Sequence, residues 1–218
     1  MRRLIAAALL SCLCAGAAAH ANTGQLEEAQ AEEILWRESI PLGAPNRGAL
    51  VSGVLLPAEG VDFFSFDPIL GYPPNREWRR WATDTTIRSL LVVLAGYRAA
   101  HPFAPRIGIA DLSRPEGGAF GKRYGGLGHA SHQNGLDVDL YYPRLDGAEL
   151  PPDSVADIDR ALSADLVARF VRAGAVYVFV GPRTKLRRGP KRIVQKLAFH
   201  DDHMHVRFSG GRGAGRTG

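Results

Sequence analysis

The sequence of 218 residues carries a formal net charge of +5, and 45% of its residues are hydrophobic. That length suffices for one domain with a substantial core and does not favour two. The positive charge is too small to indicate nucleic-acid binding by itself, and we expect no nucleic-acid partner. It is compatible with an anionic polymer such as a cell wall.

The first 21 residues have the pattern of a secretory signal peptide. Arg2 and Arg3 precede an apolar run from Leu4 to Ala19, and Ala19 and Ala21 frame a cleavage site. The run is rich in alanine and too short for a membrane-spanning helix. Its removal lowers the net charge from +5 to about +3 and takes away both cysteines. We therefore expect a secreted protein without disulfides or a transmembrane segment.

The rest of the chain is predicted to hold one domain between two loose ends. Residues 22–33 are polar and acidic, which is typical of a flexible lead-in. Residues 210–218, rich in glycine, contain nothing to bury and are expected to form a disordered tail. The folded domain is therefore expected to span residues 34–209.

Two helices are predicted inside this domain. The first begins at Thr83 or Asp84, carries apolar residues at helical spacing between residues 87 and 97, and ends at His101, which precedes a proline. The second begins at about residue 153 and stops at Gly174. Both patterns indicate packing helices with one apolar side.

Short strands bounded by glycine and proline are predicted at residues 107–112 and 176–180, with a weaker candidate near Val51. The helices lie among the strands in no strict alternation. We therefore expect an α+β fold in one domain, with a mostly antiparallel sheet flanked by helices.

Two further segments each combine an apolar and a polar strand face. In LDVDLYY, residues 136–142, apolar residues alternate with Asp137 and Asp139, so one face is expected in the core while the other presents carboxylates. HMHVRF, residues 203–208, places His203, His205 and Arg207 on one side. Five of the seven histidines of the chain lie in or beside these two segments.

The spacing of these residues predicts a metal site. Asn134-Gly135 favours a tight turn, which would bring His132 over the strand that follows it. His132, one of the two aspartates and one histidine of HMHVRF would then supply three ligands. Two histidines and one carboxylate, with a position left open, are typical of a catalytic zinc site on one face of a sheet. The residues alone do not choose between the aspartates or between the histidines.

Two motifs in these segments resemble the penicillin-insensitive murein endopeptidases. GHASHQNGLDVDLYYP at residues 128–143 contains His-x6-Asp, and HDDHMHVR at residues 200–207 contains His-x-His. SRPEGG at residues 113–118 adds to the likeness. This family belongs to the zinc peptidases, together with D-alanyl-D-alanine dipeptidases and lysostaphin-type enzymes.

The resemblance implies a secreted or periplasmic zinc metallopeptidase that cleaves the D-alanyl to meso-diaminopimelyl crosslinks of peptidoglycan. It implies that His132, Asp139 and His205 bind one zinc ion and that His203 is the general base. The resemblance also implies that His129 and His200 lie around the site. Asp137 is expected there as a carboxylate that orients an imidazole.

Other functions are compatible with the same residues. A D,D-carboxypeptidase or D-Ala-D-Ala dipeptidase would use the same zinc chemistry in a more closed site. A non-catalytic wall-binding module is also possible, although binding alone does not need His203 beside the metal. A zinc nuclease would use the basic run RTKLRRGPKR at residues 183–192, but the chain lacks aromatic residues interleaved with these charges.

Overall fold

A computed structural model of the protein describes residues 34–124, 129–186 and 188–210. The predicted signal peptide and lead-in lie outside these residues, as does the tail from residue 211. The described part is an α+β domain with a mostly antiparallel central sheet, which confirms the predicted fold class. Within it, no helix combines the length and apolar character that crossing a membrane requires.

The elements are numbered in chain order. The strands are β1 Ile40–Ala44, β2 Arg47–Val51, β3 Val54–Leu55, β4 Phe63–Ser65, β5 Trp81–Ala82, β6 Ile107–Ile109, β7 Asp137–Tyr141, β8 Tyr177–Val180, β9 Val194–Lys196 and β10 His203–Arg207. The α-helices are α1 Asp84–Ala100 and α2 Arg160–Arg172, and two short 3₁₀ helices cover Glu77–Arg79 and Lys122–Tyr124.

The central sheet has six strands in the order β4-β6-β7-β10-β8-β9. β10 is antiparallel to both of its neighbours, whereas the outer pairs β4-β6 and β8-β9 are parallel. In the register of β7 and β10, His205 lies opposite Asp139 and Arg207 lies opposite Asp137. The two polar faces predicted from the sequence therefore become one surface.

Helix α1 begins where the sequence predicts. The Thr83 hydroxyl accepts a hydrogen bond from the Thr86 amide at 3.1 Å, which satisfies one of the free amides of the first turn.

Helix α2 begins later than predicted, at Arg160. Ile158 is still extended because it forms a bridge with Arg144, and the Asp159 carboxylate caps the helix by accepting from the amides of its first turn.

The main core lies between the two helices and one face of the central sheet. Leu90 from α1, Phe170 from α2 and Val138 and Val206 from the sheet are all buried in it. Burial of such side chains stabilises the fold by about 1.5–3 kcal/mol each relative to exposure. A smaller apolar cluster lies on the opposite face of the sheet: Phe64, Phe66, Ala110 and Tyr141. That opposite face also carries the polar residues of β7 and β10.

The polar face of β7 is not open to solvent, contrary to the half-buried strand that its alternation predicts. Asp137 is fully buried and Asp139 is 3% exposed. Ionised carboxylates are rarely buried unless they are paired with positive charge or bind a metal, so the partners of these aspartates define the site.

Candidate metal centre

Three side chains converge above the β7-β10 pair. Asp139 Oδ1 lies 3.0 Å from His205 Nδ1, and Asp139 Oδ2 lies 3.2 Å from His132 Nε2. The two histidine nitrogens are 3.2 Å apart. Zinc–nitrogen bonds of about 2.0–2.1 Å in tetrahedral geometry place neighbouring ligand atoms about 3.3 Å apart. The three residues therefore have the spacing of ligands around one small cation.

His132 reaches this position through an unusual backbone conformation. Its φ of +66° lies in the left-handed region, which is uncommon for residues other than glycine. Its amide donates to Asp137 Oδ2 at 2.9 Å, and its ring Nδ1 lies 2.9 Å from the Leu112 carbonyl oxygen. These two hydrogen bonds fix both the backbone and the ring of His132.

The chain after His132 differs from the tight turn predicted at Asn134-Gly135. The described backbone hydrogen bonds of this segment join Gln133 to Pro45 and Gly118, and Gly135 to Thr83. Neighbouring loops and the start of α1, instead of a two-residue hairpin turn, hold His132 over the sheet.

The hydrogen bonds assign the protons of the two rings. The Leu112 carbonyl only accepts, so His132 carries its proton on Nδ1. His205 Nε2 lies 3.1 Å from Asp137 Oδ1, so that nitrogen donates to the carboxylate. When both rings are neutral, His132 Nε2 and His205 Nδ1 then each carry a lone pair. They face each other and the carboxylate of Asp139, and this all-acceptor arrangement fits a cation.

The electrostatics of the cluster also favour a positive charge. Burial acts to lower the pKa of His205, but Asp139 and Asp137 outweigh burial and raise the pKa to about 9. Burial acts to raise the pKa of Asp139, but His132 and His205 hold it well below its ordinary value. Asp139 Oδ1 accepts a hydrogen bond from no described residue. The residues present therefore fit a bound divalent metal ion.

His129 lies at the edge of the same cluster. Its Nδ1 is 3.8 Å from Asp139 Oδ2, and His129, His132 and Asp139 offer ligand atoms that all lie within 4.8 Å of one another. These three residues could hold a metal ion. The sequence placed His129 beside the site without a role, and the structure adds it as a fourth, more distant nitrogen.

Asp137 connects the two histidine ligand candidates. One of its oxygens accepts from the His132 amide, and the other accepts from the His205 ring. Arg207 Nε also donates to Asp137 Oδ1, at 2.6 Å. Burial acts to raise the pKa of Asp137, but these partners outweigh burial and hold the pKa far below its ordinary value. Asp137 therefore contacts both ring-bearing residues, and Arg207 is occupied by Asp137.

His203 and His200 lie beside the cluster. His203 Nδ1 is 2.8 Å from Asp202 Oδ1, and the side chain of His203 is 19% exposed. Burial acts to lower the pKa of His203, but the hydrogen bond to Asp202 contributes to a net rise of this pKa. The ring of His200 lies 4.7 Å from that of His203 and 6.0 Å from that of His205. Its Nδ1 is hydrogen-bonded to the Ala198 carbonyl.

Two residues of this region were not expected from the sequence. Asp111 follows β6 and places its Oδ2 atom 2.6 Å from His129 Nε2, and Arg79 forms a buried ion pair with Asp111. An aspartate at the end of an apolar strand is a signal that could have indicated Asp111. Arg79 lies in the run REWRRW, where nothing distinguishes it from its neighbouring arginines.

The fold and the cluster define an α+β protein with a candidate metal centre on one face of its sheet. A model of the penicillin-insensitive murein endopeptidases matches residues 41–170, which is more than half of the chain. The chain therefore belongs to the penicillin-insensitive murein endopeptidase family. Its class is that of peptidases acting on murein, and this substrate implies action outside the cytoplasm. No curated protein matches the chain.

The matched residues include His129, His132 and Asp139 but end before β8. His205 of β10 is therefore placed at the site by its distances to Asp139 and His132 and not by the family match.

Proposed function

We propose that the protein is a secreted, zinc-dependent endopeptidase that hydrolyses the D-alanyl to meso-diaminopimelyl crosslinks of peptidoglycan. The observation that carries this proposal is the convergence of three acceptor atoms, from His132, Asp139 and His205, in a member of a murein endopeptidase family. Secretion follows from the predicted signal peptide at residues 1–21.

His132, Asp139 and His205 would hold the zinc ion, with His129 as a further nitrogen at the edge. When bound, zinc supplies Lewis-acid chemistry: it polarises a carbonyl group and makes water acidic enough to lose a proton near neutral pH. Asp137 and the Leu112 carbonyl keep the two ligand rings in the tautomers that direct their lone pairs to the ion.

His203 is the proposed general base. The carboxylate of Asp202 accepts from its Nδ1, which leaves Nε2 of the neutral ring free to accept a proton. His203 lies on the same face of β10 as His205, two residues away. We infer that it takes a proton from the attacking water and transfers it to the amine that leaves when the peptide bond breaks.

Mass analysis of digested peptidoglycan tests this function. The purified protein without its signal peptide should convert crosslinked dimeric muropeptides of a diaminopimelate-containing wall into monomers. A chelator should stop the reaction, and added zinc should restore it. Release of free D-alanine without loss of dimers would indicate a D,D-carboxypeptidase, and binding without any product would indicate a wall-binding module. Either result would overturn the proposal.

A further inference from the structure

Arg79 and Asp111 form a completely buried ion pair next to the candidate metal centre. Both side chains are fully buried. Arg79 Nε donates to Asp111 Oδ1 at 2.5 Å, and its Nη2 donates to the other carboxylate oxygen. The guanidinium carbon Cζ of Arg79 lies 5.0 Å from the centroid of the Trp78 ring and 5.1 Å from that of the Phe120 ring. The pair is thus bidentate and enclosed by aromatic side chains.

Stability alone does not account for such a pair. Removing two charges from water costs several kcal/mol per ion, and replacement of a buried ion pair by apolar residues of similar volume is often neutral or stabilising. The proposed reaction assigns no task to Arg79 or Asp111. The next contact of the carboxylate offers a further role for the pair.

That contact is His129. Asp111 Oδ2 lies 2.6 Å from His129 Nε2, and an ionised carboxylate only accepts, so Nε2 carries the proton of the neutral ring. The lone pair is then on Nδ1, the atom that lies 3.8 Å from Asp139 Oδ2. The Phe120 ring packs against the imidazole in a T-shaped arrangement, with the ring centroids 5.3 Å apart, and restricts its rotation.

Arg79 also reaches the chain that leads toward His129. Its Nη1 donates to the Tyr124 carbonyl oxygen at 3.2 Å, at the end of the 3₁₀ helix that precedes this histidine in the chain. One guanidinium group therefore contacts both the carboxylate that orients the His129 ring and the backbone before it.

We propose that Arg79 and Asp111 are positioning residues of the metal centre, which hold the imidazole of His129 with Nδ1 directed at Asp139 and His132. This inference rests on the proposed function, since it assumes a divalent cation at that cluster. A hydrogen bond that a ligating histidine donates to a carboxylate sets the tautomer and orientation of its ring, and loss of this bond lowers metal affinity by about 10–100-fold.

The test compares zinc affinity with folding. The double variant Arg79→Met/Asp111→Leu removes both charges together and leaves no unpaired buried ion. Its dissociation constant for zinc, measured by competition with a chromogenic chelator, should rise about 10–100-fold, while its Tm in excess chelator stays near that of the wild type. The matched control is Arg76→Met/Asp67→Leu, which removes another ion pair with a buried carboxylate. Among the described residues, the Asp67 carboxylate accepts hydrogen bonds from Arg76 and from two backbone amides of its own loop.

Non-additivity makes the test specific to His129. If Arg79 and Asp111 act through this ring, the triple variant that combines Arg79→Met/Asp111→Leu with His129→Ala should bind zinc less than about 3-fold more weakly than His129→Ala alone. Zinc affinity of the double variant within about 3-fold of the wild type would overturn the inference, as would full additivity with His129→Ala. A wild-type protein that binds no zinc would instead refute the proposed metal centre itself. Should the double variant not fold, Arg79→Gln/Asp111→Asn, which also removes both charges together, provides the same comparison.

Discussion

At the scale of single residues, the neighbouring histidines of β10 are expected to differ in function. His205 directs its Nδ1 atom at Asp139 and His132, whereas His203 hydrogen-bonds to Asp202 and is partly open to solvent. The period of two along a strand could be read from the sequence, but it gives both histidines the same direction. Their roles differ because only the neighbouring strand and loop provide His205 with further ligand atoms.

Alanine substitutions separate these roles. His205→Ala should lose both zinc and activity, because it removes one of the three closest donors. His203→Ala should retain zinc, since its ring is not among those donors, and lose about 10²–10⁴-fold in kcat, the usual contribution of a general base. Zinc content by atomic emission and kcat on crosslinked muropeptides check both. Loss of zinc in His203→Ala with retention in His205→Ala would show that the roles are reversed.

Gly135 supports the loop that carries His132, through its conformation and its lack of a side chain. Its φ is +74°, and an added Cβ would lie 2.9 Å from the Thr83 amide nitrogen and 3.0 Å from Leu50 Cδ1. We expect Gly135→Ala to lower the free energy of unfolding by about 2–4 kcal/mol through backbone strain and overpacking combined. Gly147→Ala is the matched control.

Gly147 has the same φ of +74° with nothing within 4 Å of an added Cβ. Its substitution should therefore cost only the backbone strain of about 1–2 kcal/mol. Denaturant unfolding of both variants gives the comparison. Equal losses would show that close packing around Gly135 contributes nothing.

At the scale of elements, the pattern of β7 and β10 predicted both strands and the face that carries the site, because alternation specifies which side chains share a side. The start of α1 was predicted from its cap. The short strands β4 and β9 were not predicted, because they are defined by parallel pairing with β6 and β8 and not by a periodic pattern of their own. The burial of Asp137 and Asp139 was missed because it depends on partners that are remote in the sequence, such as Arg207 and His205.

The cap of α1 makes a measurable contribution at this scale. Thr83→Ala removes the side-chain acceptor for the Thr86 amide and should lower the free energy of unfolding by about 1 kcal/mol. Thr83→Ser keeps the hydroxyl and should lose only a few tenths of that amount. Urea unfolding monitored by tryptophan fluorescence checks the pair. A serine variant as unstable as the alanine variant would mean that the threonine methyl group, not the cap, matters.

At the scale of the whole molecule, the candidate ligands come from parts of the chain that only the complete fold brings together. His132 precedes β7, Asp139 lies within it and His205 lies in β10. An ion bound by all three therefore favours the native state over the unfolded chain.

Zinc at about 100 times its dissociation constant should stabilise the protein by about 2.7 kcal/mol, which corresponds to a rise in Tm of roughly 5–10 °C for a domain of this size. Thermal unfolding with and without zinc measures this shift, with magnesium as the control ion because it prefers oxygen ligands. The variant His132→Ala should show a much smaller rise. A shift of equal size in that variant would place the bound zinc elsewhere.

The position of β10 has a consequence for how the metal centre forms. It is the last of the strands that the structure describes, yet it lies in the middle of the sheet, between β7 and β8. Until β10 is inserted, the sheet is divided into two halves and Asp139 has no histidine opposite it. A chain in which β10 is unpaired would therefore lack one of the three candidate ligands, so that completion of the metal centre and closure of the sheet are a single event.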